Sequence, residues 1–265
     1  MNNPQPGDPR WIVVIPAKGL AGAKSRLAGR AGGRRPELAL AMLLDTVAAA
    51  VAAHRVRLVM VVTVDAAIGP AVSALGATVV PDTTVVPDTT VVPDTTVVPD
   101  TTVVPDTAVV PDTAVAPDTA AGGLNAACRL GIAAALTAGA AEPSRGVALL
   151  VGDLPALRSG ELDDALHLAD SAGVLVVADR DGAGTTLLAA RTPSGLRPSF
   201  GTGSFARHLR LGAEAVTVAP LSGLRCDVDD EVGLAFAVQL GVGAATRDVL
   251  RHLEFGPDKH LGPTP

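Results

Sequence analysis

The 265-residue sequence is 48% hydrophobic, with no Tyr, one Trp and four Phe, so its core must be aliphatic. A net charge of -6 and a pI near 5.3 exclude the broad basic stripe that DNA or RNA binding needs. Two cysteines, Cys128 and Cys226, form no disulfide framework and show no metal-ligand spacing, so reduced thiols are expected.

Met1 to Arg10 is polar and lacks the pattern of a signal peptide. The stretch Leu38 to Ala53 is apolar but interrupted by Asp45, and reads as a buried helix rather than a membrane span. A cytoplasmic protein with neither membrane nor nucleic-acid partners is expected, and the length suits one α/β domain over residues 1–265. Trp11 to Ile15, a continuous apolar run ending at Pro16, predicts a central parallel strand. A Gly/Lys/Arg-rich loop follows, and Pro36 to His54 predicts a helix with Leu40, Leu43, Val47 and Val51 on one face. Arg57 to Val64 reads as a strand, Ala66 to Leu75 as a helix and Ala77 to Val80 as the start of a third strand. This βαβαβ order predicts a mostly parallel sheet wrapped by helices, with ligands beyond the carboxyl ends of the strands.

From Val79 to Ala120 the hexad Val-Val-Pro-Asp-Thr-Thr recurs seven times with slight decay. Proline at every sixth position breaks helix and sheet ladders, so residues 79–120 read as a low-complexity insert, extended and without a catalytic role. The sharper alternative is a small β-solenoid in which stacked hexads bury a shared face. Beyond the insert, Leu124 to Ala138 predicts a helix opened by Gly122-Gly123, and Val147 to Val151 a buried strand ending at Gly152-Asp153. A helix is expected over Glu161 to Ala169, a strand over Gly173 to Ala178 and an apolar segment over Thr185 to Ala190. Phe205 to Leu211 (helix), Ala215 to Val218 (strand), Glu231 to Leu240 (helix) and Thr246 to Leu253 (helix) complete the order.

The loop from Pro16 to Leu27 holds Lys18, Lys24 and Arg26 together with Gly19 and Gly22, a composition that suits a triphosphate. It lacks the Walker spacing, and a solvated basic loop is the bland reading. Asp153, at the end of a buried strand, is placed to hold a hard cation, with Asp227 and Asp229 as distant partners on alternate positions of an extended segment. The rival reading makes Asp153 a loop cap and Asp227 and Asp229 helix caps. The turn Asp179 to Thr186 and the loop Phe200 to Ser204 offer hydroxyls and amides to a small anion, or are simply a turn and a cap. Of the five histidines, four read as surface residues; His208 follows the Gly201 to Ser204 loop, where it could approach the substrate, and is expected rather on a helix surface. No zinc spacing or hydrolytic triad is present.

Taken in order, Ile15-Pro16-Ala17-Lys18, Lys24-Ser25-Arg26-Leu27, Gly122-Gly123-Leu124-Asn125, Gly152-Asp153-Leu154-Pro155, Asp181-Gly182 with Gly184-Thr185-Thr186, Phe200-Gly201 with Ser204, and Asp227-Val228-Asp229 resemble one family. It is that of the 2-phospho-L-lactate or phosphoenolpyruvate guanylyltransferases of coenzyme F-420 biosynthesis. The resemblance implies a Rossmann-like nucleotidyltransferase α/β fold of the GT-A type, GTP as co-substrate, Mg²⁺, and phosphoenolpyruvate or 2-phospho-L-lactate as acceptor. Carried over by position, Pro16, Ala17, Lys18, Lys24, Arg26, Gly122, Gly123 and Asn125 would contact the nucleotide. Asp153, Asp227 and Asp229 would hold Mg²⁺, Lys18, Lys24 and Asp153 would carry catalysis, and Thr186, Gly201 and Ser204 would take the acid. A homodimer is left open. The repeat departs from the family pattern and lies where it could perturb the guanine pocket or loop outward. Rival readings are another nucleotidyltransferase, such as a molybdopterin guanylyltransferase, and a non-enzymatic domain that displays the repeat tract.

Overall fold

A computed structural model describes residues 11–17, 19, 20, 27, 32–83, 119–139, 146–219 and 222–253. The strands are β1 (Trp11–Pro16), β2 (Val56–Thr63), β3 (Thr78–Pro81), β4 (Gly146–Leu150), β5 (Val174–Ala178), β6 (Thr185–Ala190) and β7 (Glu214–Ala215). The α-helices are α1 (Arg35–Val51), α2 (Ile68–Ala74), α3 (Thr119–Gly139), α4 (Ser159–Ala169), α5 (Ser204–Arg210), α6 (Glu231–Leu240) and α7 (Ala244–His252). All seven strands form one sheet in the order β3-β2-β1-β4-β6-β5-β7. β1, β2, β3 and β4 run parallel, whereas β6 is antiparallel to both β4 and β5.

Period-two alternation sorts the core into two layers, as a sheet covered on both faces requires. Trp11, Val13 and Ile15 of β1 pack with Leu43 and Val47 of α1 and Leu162 and Leu166 of α4. Ile12 and Val14 turn to the other face, against Ala127, Cys128 and Ala135 of α3. The small residues of α3 bring helix and sheet close: a Cβ on Gly131 would fall 2.2 Å from a methyl of Val14. Leu38 and Met42 of α1 meet Val228, Leu234 of α6 and Leu250 of α7 in a further cluster. This cluster folds the C-terminal segment back beneath the end of β4. Asp45, which breaks the apolar run of α1, is only 8% exposed. Its carboxylate accepts the Ala245 and Thr246 N–H groups at 3.0 and 2.8 Å, and so caps the start of α7.

Two expectations are corrected. α3 runs through Gly122-Gly123 instead of opening at them, because it begins at Thr119. The pair thus lies past the first three helical residues, where backbone amides can already donate to carbonyls four residues back. The last strand shrinks to Glu214–Ala215 at the sheet edge, although the Val216 N–H still donates to Val176 O at 3.1 Å. The apolar segment at residues 185–190, left without an element type by the sequence, is an antiparallel strand. The hexads beyond Thr83 up to Asp118 lie outside the described residues, so neither reading of the insert meets the structure.

Candidate active site

Because β1 to β4 are parallel, their carboxyl ends share one edge. The antiparallel β6 brings its amino end, Thr185 and Thr186, to that same edge, with the Val151 N–H donating to Thr186 O at 3.0 Å. Gly152 follows β4 tightly packed, since a Cβ there would lie 2.9 Å from Leu43 and 3.3 Å from Ile15. The turn carrying Asp153 is held on both sides. The Thr46 hydroxyl of α1 accepts the Leu154 N–H at 3.0 Å, and the Val228 N–H donates to Asp153 O at 3.1 Å. Asp153 and the 227–229 segment, 74 residues apart by subtraction of 153 from 227, are thereby locked backbone to backbone.

Val228 is buried, so its neighbours Asp227 and Asp229 are set to the opposite side of the extended segment. Burial, and then the negative charges of Asp153, Asp229 and Asp179, push the Asp227 carboxyl up to about 7. The cap of α6 is Asp230, which accepts the Gly233 N–H at 2.8 Å; Asp227 and Asp229 do not have that structural duty. Among the described residues no three His, Cys, Asp or Glu side chains are grouped so as to hold a metal ion by themselves. The oxygen-only, mutually repelling set nonetheless fits a hard dication that also takes substrate phosphate oxygens, because such a charge relieves the repulsion at Asp227.

The second wall is the loop before α5, where Gly201 and Gly203 adopt φ of 118° and 70°, conformations that favour glycine. Three side chains fasten it. The Asn125 carboxamide of α3 accepts the Phe200 N–H at 2.8 Å and donates to Phe200 O at 3.2 Å. Arg207 donates to Ser199 O at 2.9 Å and to Thr202 O. His208, expected on a helix surface, is instead 1% exposed. Its Nε2 accepts the Ser199 N–H at 3.0 Å and its Nδ1 lies 2.9 Å from Thr185 Oγ1, so it bridges the loop to β6. Its ring also stands edge-on to Phe200, with centroids 5.2 Å apart. Burial, and then Arg207, lower its pKa to about 4, and the ring is neutral at physiological pH. Beside it, Thr186 Oγ1 is buried without a hydrogen-bond partner, and Ser204 is 1% exposed at the start of α5.

On the other side of β1 lies a cavity of about 340 Å³, bounded by Pro16 and Ala17, Val64, Asp82, and Gly123 and Leu124 of α3. That volume is in the range of about 300–1,000 Å³ usual for small-molecule sites. Asp65, after β2, accepts the Leu20 N–H at 2.8 Å and the Ala67 N–H at 2.9 Å, so it anchors the glycine-rich turn. These two amides, Leu20 first, hold its carboxyl below the ordinary value of 3.8. Lys18, Lys24 and Arg26 lie outside the described residues.

Sequence reasoning passed over Asp65 and Arg225, read Asp179 only as the start of a turn, and preferred a helix surface for His208. Asp179 accepts the Ala183 and Gly184 N–H groups at 2.9 and 2.6 Å, closing the turn that leads into β6. Arg225 donates to Asp179 O at 2.7 Å, fastening that turn to the 222–229 segment. The Asp-Arg-Asp-Gly spacing of a turn was a visible signal for Asp179. The position of His208 just after the 201–204 loop was a local signal, but nothing local marked its burial or the role of Arg225, whose partners come from other elements.

The model of the family described as Guanylyl transferase CofC like matches residues 93–264. The chain belongs to the CofC-like guanylyltransferase family. It is 42% identical to the phosphoenolpyruvate guanylyltransferase of Streptomyces scabiei over 89% of this chain and 94% of that one. It is 39% identical to the protein of the same name from Thermomonospora curvata, over 89% and 86%. With Sanguibacter keddieii the identity is 45%, over 91% and 84%. Among solved structures, a protein assigned as a nucleotide-diphospho-sugar transferase from Desulfovibrio desulfuricans superposes with a TM-score of 0.55 at 13% identity, covering 91% and 94% of the two chains. A nucleotidyl transferase from Methanothermobacter thermautotroptrophicus gives 0.51 at 16%, covering 87% and 97%. These two likenesses establish the nucleotidyltransferase fold for this CofC-like guanylyltransferase. No helix among its described residues is long and apolar enough to cross a membrane.

Proposed function

We propose that the chain transfers the guanylyl group of GTP to phosphoenolpyruvate, releasing pyrophosphate, as a step of coenzyme F-420 biosynthesis. The observation that carries this reading is the convergence of Asp153 and Asp227, the Thr185-Thr186 edge and the 199–204 loop at one sheet edge. Phosphoenolpyruvate is preferred to 2-phospho-L-lactate because the relatives named above are called phosphoenolpyruvate guanylyltransferases. The acceptor phosphate is already anionic near neutral pH, so one of its oxygens bonds to the α-phosphorus without a general base. The bond from the α-phosphorus to the oxygen bridging it to the β-phosphorus breaks, and that oxygen leaves with pyrophosphate.

In this reading Asp153, Asp227 and Asp229 hold Mg²⁺, which when bound supplies positive charge to the phosphate oxygens. Lys18, Lys24 and Arg26 neutralise the triphosphate, with Lys18, Lys24 and Asp153 carrying the catalytic load. Pro16, Ala17, Gly122 and Gly123 line the nucleotide, and Asn125 ties its helix to the acceptor loop. Thr186, Gly201 and Ser204 receive the acid. The unpartnered Thr186 hydroxyl supports this role, because leaving such a group buried costs about 1–3 kcal/mol that an anion would offset. The continuous sheet supports one catalytic domain over residues 1–265, interrupted by the insert at 79–120. The test is pyrophosphate release from GTP with phosphoenolpyruvate, 2-phospho-L-lactate or 3-phosphoglycerate offered separately. Guanylylated product with phosphoenolpyruvate supports the reading, and no release with any of the acids refutes it.

A further inference from the structure

The cavity between β1, β2, β3 and α3 is walled by backbone and apolar side chains, with Pro16 and Ala17 on one side and Gly123 and Leu124 on another. Asp82 is the only charged side chain among the described residues that line it. Its place is set by the sheet, since Asp82 directly follows β3 and its N–H donates to Thr63 O at 3.1 Å. From β3 to β4 the sheet crosses β2 and β1, three strand spacings or about 14 Å. An extended nucleotide can bridge that span, with its base at Asp82 and its phosphates at the glycine-rich turn and Asp153.

We propose that Asp82 selects guanine by accepting the N1–H and the exocyclic N2–H of a base seated in this cavity. The inference rests on the cavity holding the base of the donor nucleotide in the function proposed above. Apolar walls suit the two faces of any purine, so discrimination falls to the edge. A carboxylate offers two acceptors side by side, and guanine is the common base that presents two donors side by side. Adenine would turn its N1 lone pair toward the same carboxylate. Hypoxanthine keeps N1–H and lacks the amino group, so it should lose one charge-assisted hydrogen bond. A site built around such a bond rejects a ligand that leaves it unmade.

Asp82 also belongs to the repeat. Thr78-Val79-Val80-Pro81-Asp82-Thr83 recurs identically at 84–89, 90–95, 96–101 and 102–107. Six is an even number, so a six-residue shift of register on the edge of β2 would keep every side chain on its face and present an equivalent aspartate. Substitution of Asp82 must therefore be measured both alone and in a full-length chain with Asn also at 88, 94, 100 and 106.

Calorimetric binding of GTP, ITP, ATP and XTP to the full chain, without acceptor, tests the proposal independently of turnover. The wild type should bind GTP about 10- to 100-fold more tightly than ITP, the equivalent of one charge-assisted hydrogen bond. In the five-site Asn chain the GTP preference over ITP should vanish. Binding of XTP should rise, because an Asn amide accepts from N1–H and donates to the C2 oxygen of xanthine. That gain can come only from a folded protein. If Asp82→Asn alone behaves in the same way, Asp82 is the sole reader. If only the five-site chain does, another copy can replace it, and both results support the assignment. Equal affinity of the wild type for GTP and ITP overturns it, as does an unchanged preference in the five-site chain. GTP binding without transfer to any acid would refute the proposed reaction while leaving base selection to be judged by these affinities. Absence of binding to every triphosphate would overturn both.

Discussion

Replacing His208 by Gln converts a buried titrating strut into a neutral one, and the structure sets the size of the effect. The Ser199 N–H must donate to Nε2, so that nitrogen is unprotonated and Nδ1 carries the hydrogen given to Thr185 Oγ1. A second proton would set two donors against each other in a ring 1% exposed. Burial and Arg207 accordingly lower the pKa from 6.5 to about 4. In the unfolded chain the same imidazole takes its proton near 6.5. Between these values the unfolded state binds more protons, so stability falls as pH falls. The contribution is whole above pH 6.5 and lost by about pH 4, and at about 1.4 kcal/mol for each tenfold change in proton concentration it amounts to about 3.5 kcal/mol. Gln can still accept from Ser199 but does not titrate. Urea unfolding from about pH 7 to about pH 4.5 should show the variant less stable by about 1–2 kcal/mol at the upper end, from one lost hydrogen bond and poorer packing on Phe200. That gap should close or reverse at the lower end, a relative change of about 2–3 kcal/mol. Asp227, whose raised pKa acts with the opposite sign, cancels in the difference between the two proteins. Parallel stability curves for wild type and variant across this range would refute the reasoning.

Asp153→Asn should lower kcat by about 10²-fold or more, as expected for loss of a charge facing the reacting phosphates. Its Tm should hold or rise slightly, because repulsion with Asp227 is relieved; near-normal turnover would remove Asp153 from the site. Asp45→Ala strips two buried bonds from the start of α7, and the urea midpoint should fall by the equivalent of about 2–3 kcal/mol. A loss below about 0.5 kcal/mol would show that α7 is not anchored there. Asp65→Ala frees the Leu20 and Ala67 amides, and KM for GTP should rise several-fold, with a modest loss of stability near neutrality. The depressed carboxyl contributes stability above its ordinary value of 3.8, lost as pH falls below that through the folded value. Wild type and variant should therefore converge only in strong acid, and convergence near pH 6 would contradict the assignment.

Local chemistry made much of this protein legible. The continuous apolar runs of β1 and β4, the helical spacing of α1 and the exact span of α6 follow from periodicity, which reports how one element meets its immediate layer. Asp153 was readable because a carboxylate directly after a buried strand in an α/β order must stand at the ligand edge. Its connection to the 227–229 segment depended instead on a backbone bond to Val228 and on the burial of Val228 beneath α1 and α6. His208 shows the same division: helical periodicity alone put it on a surface, yet the 199–203 loop folds over it and β6 meets it from a distant register. The sequence thus determined the buried strands of the parallel half of the sheet and which helix faces are apolar. Tertiary structure alone decided which carboxylates share a field, which imidazole stays neutral and which aspartate faces the cavity. Those properties arise between segments far apart in the chain, and local patterning carries no record of that distance.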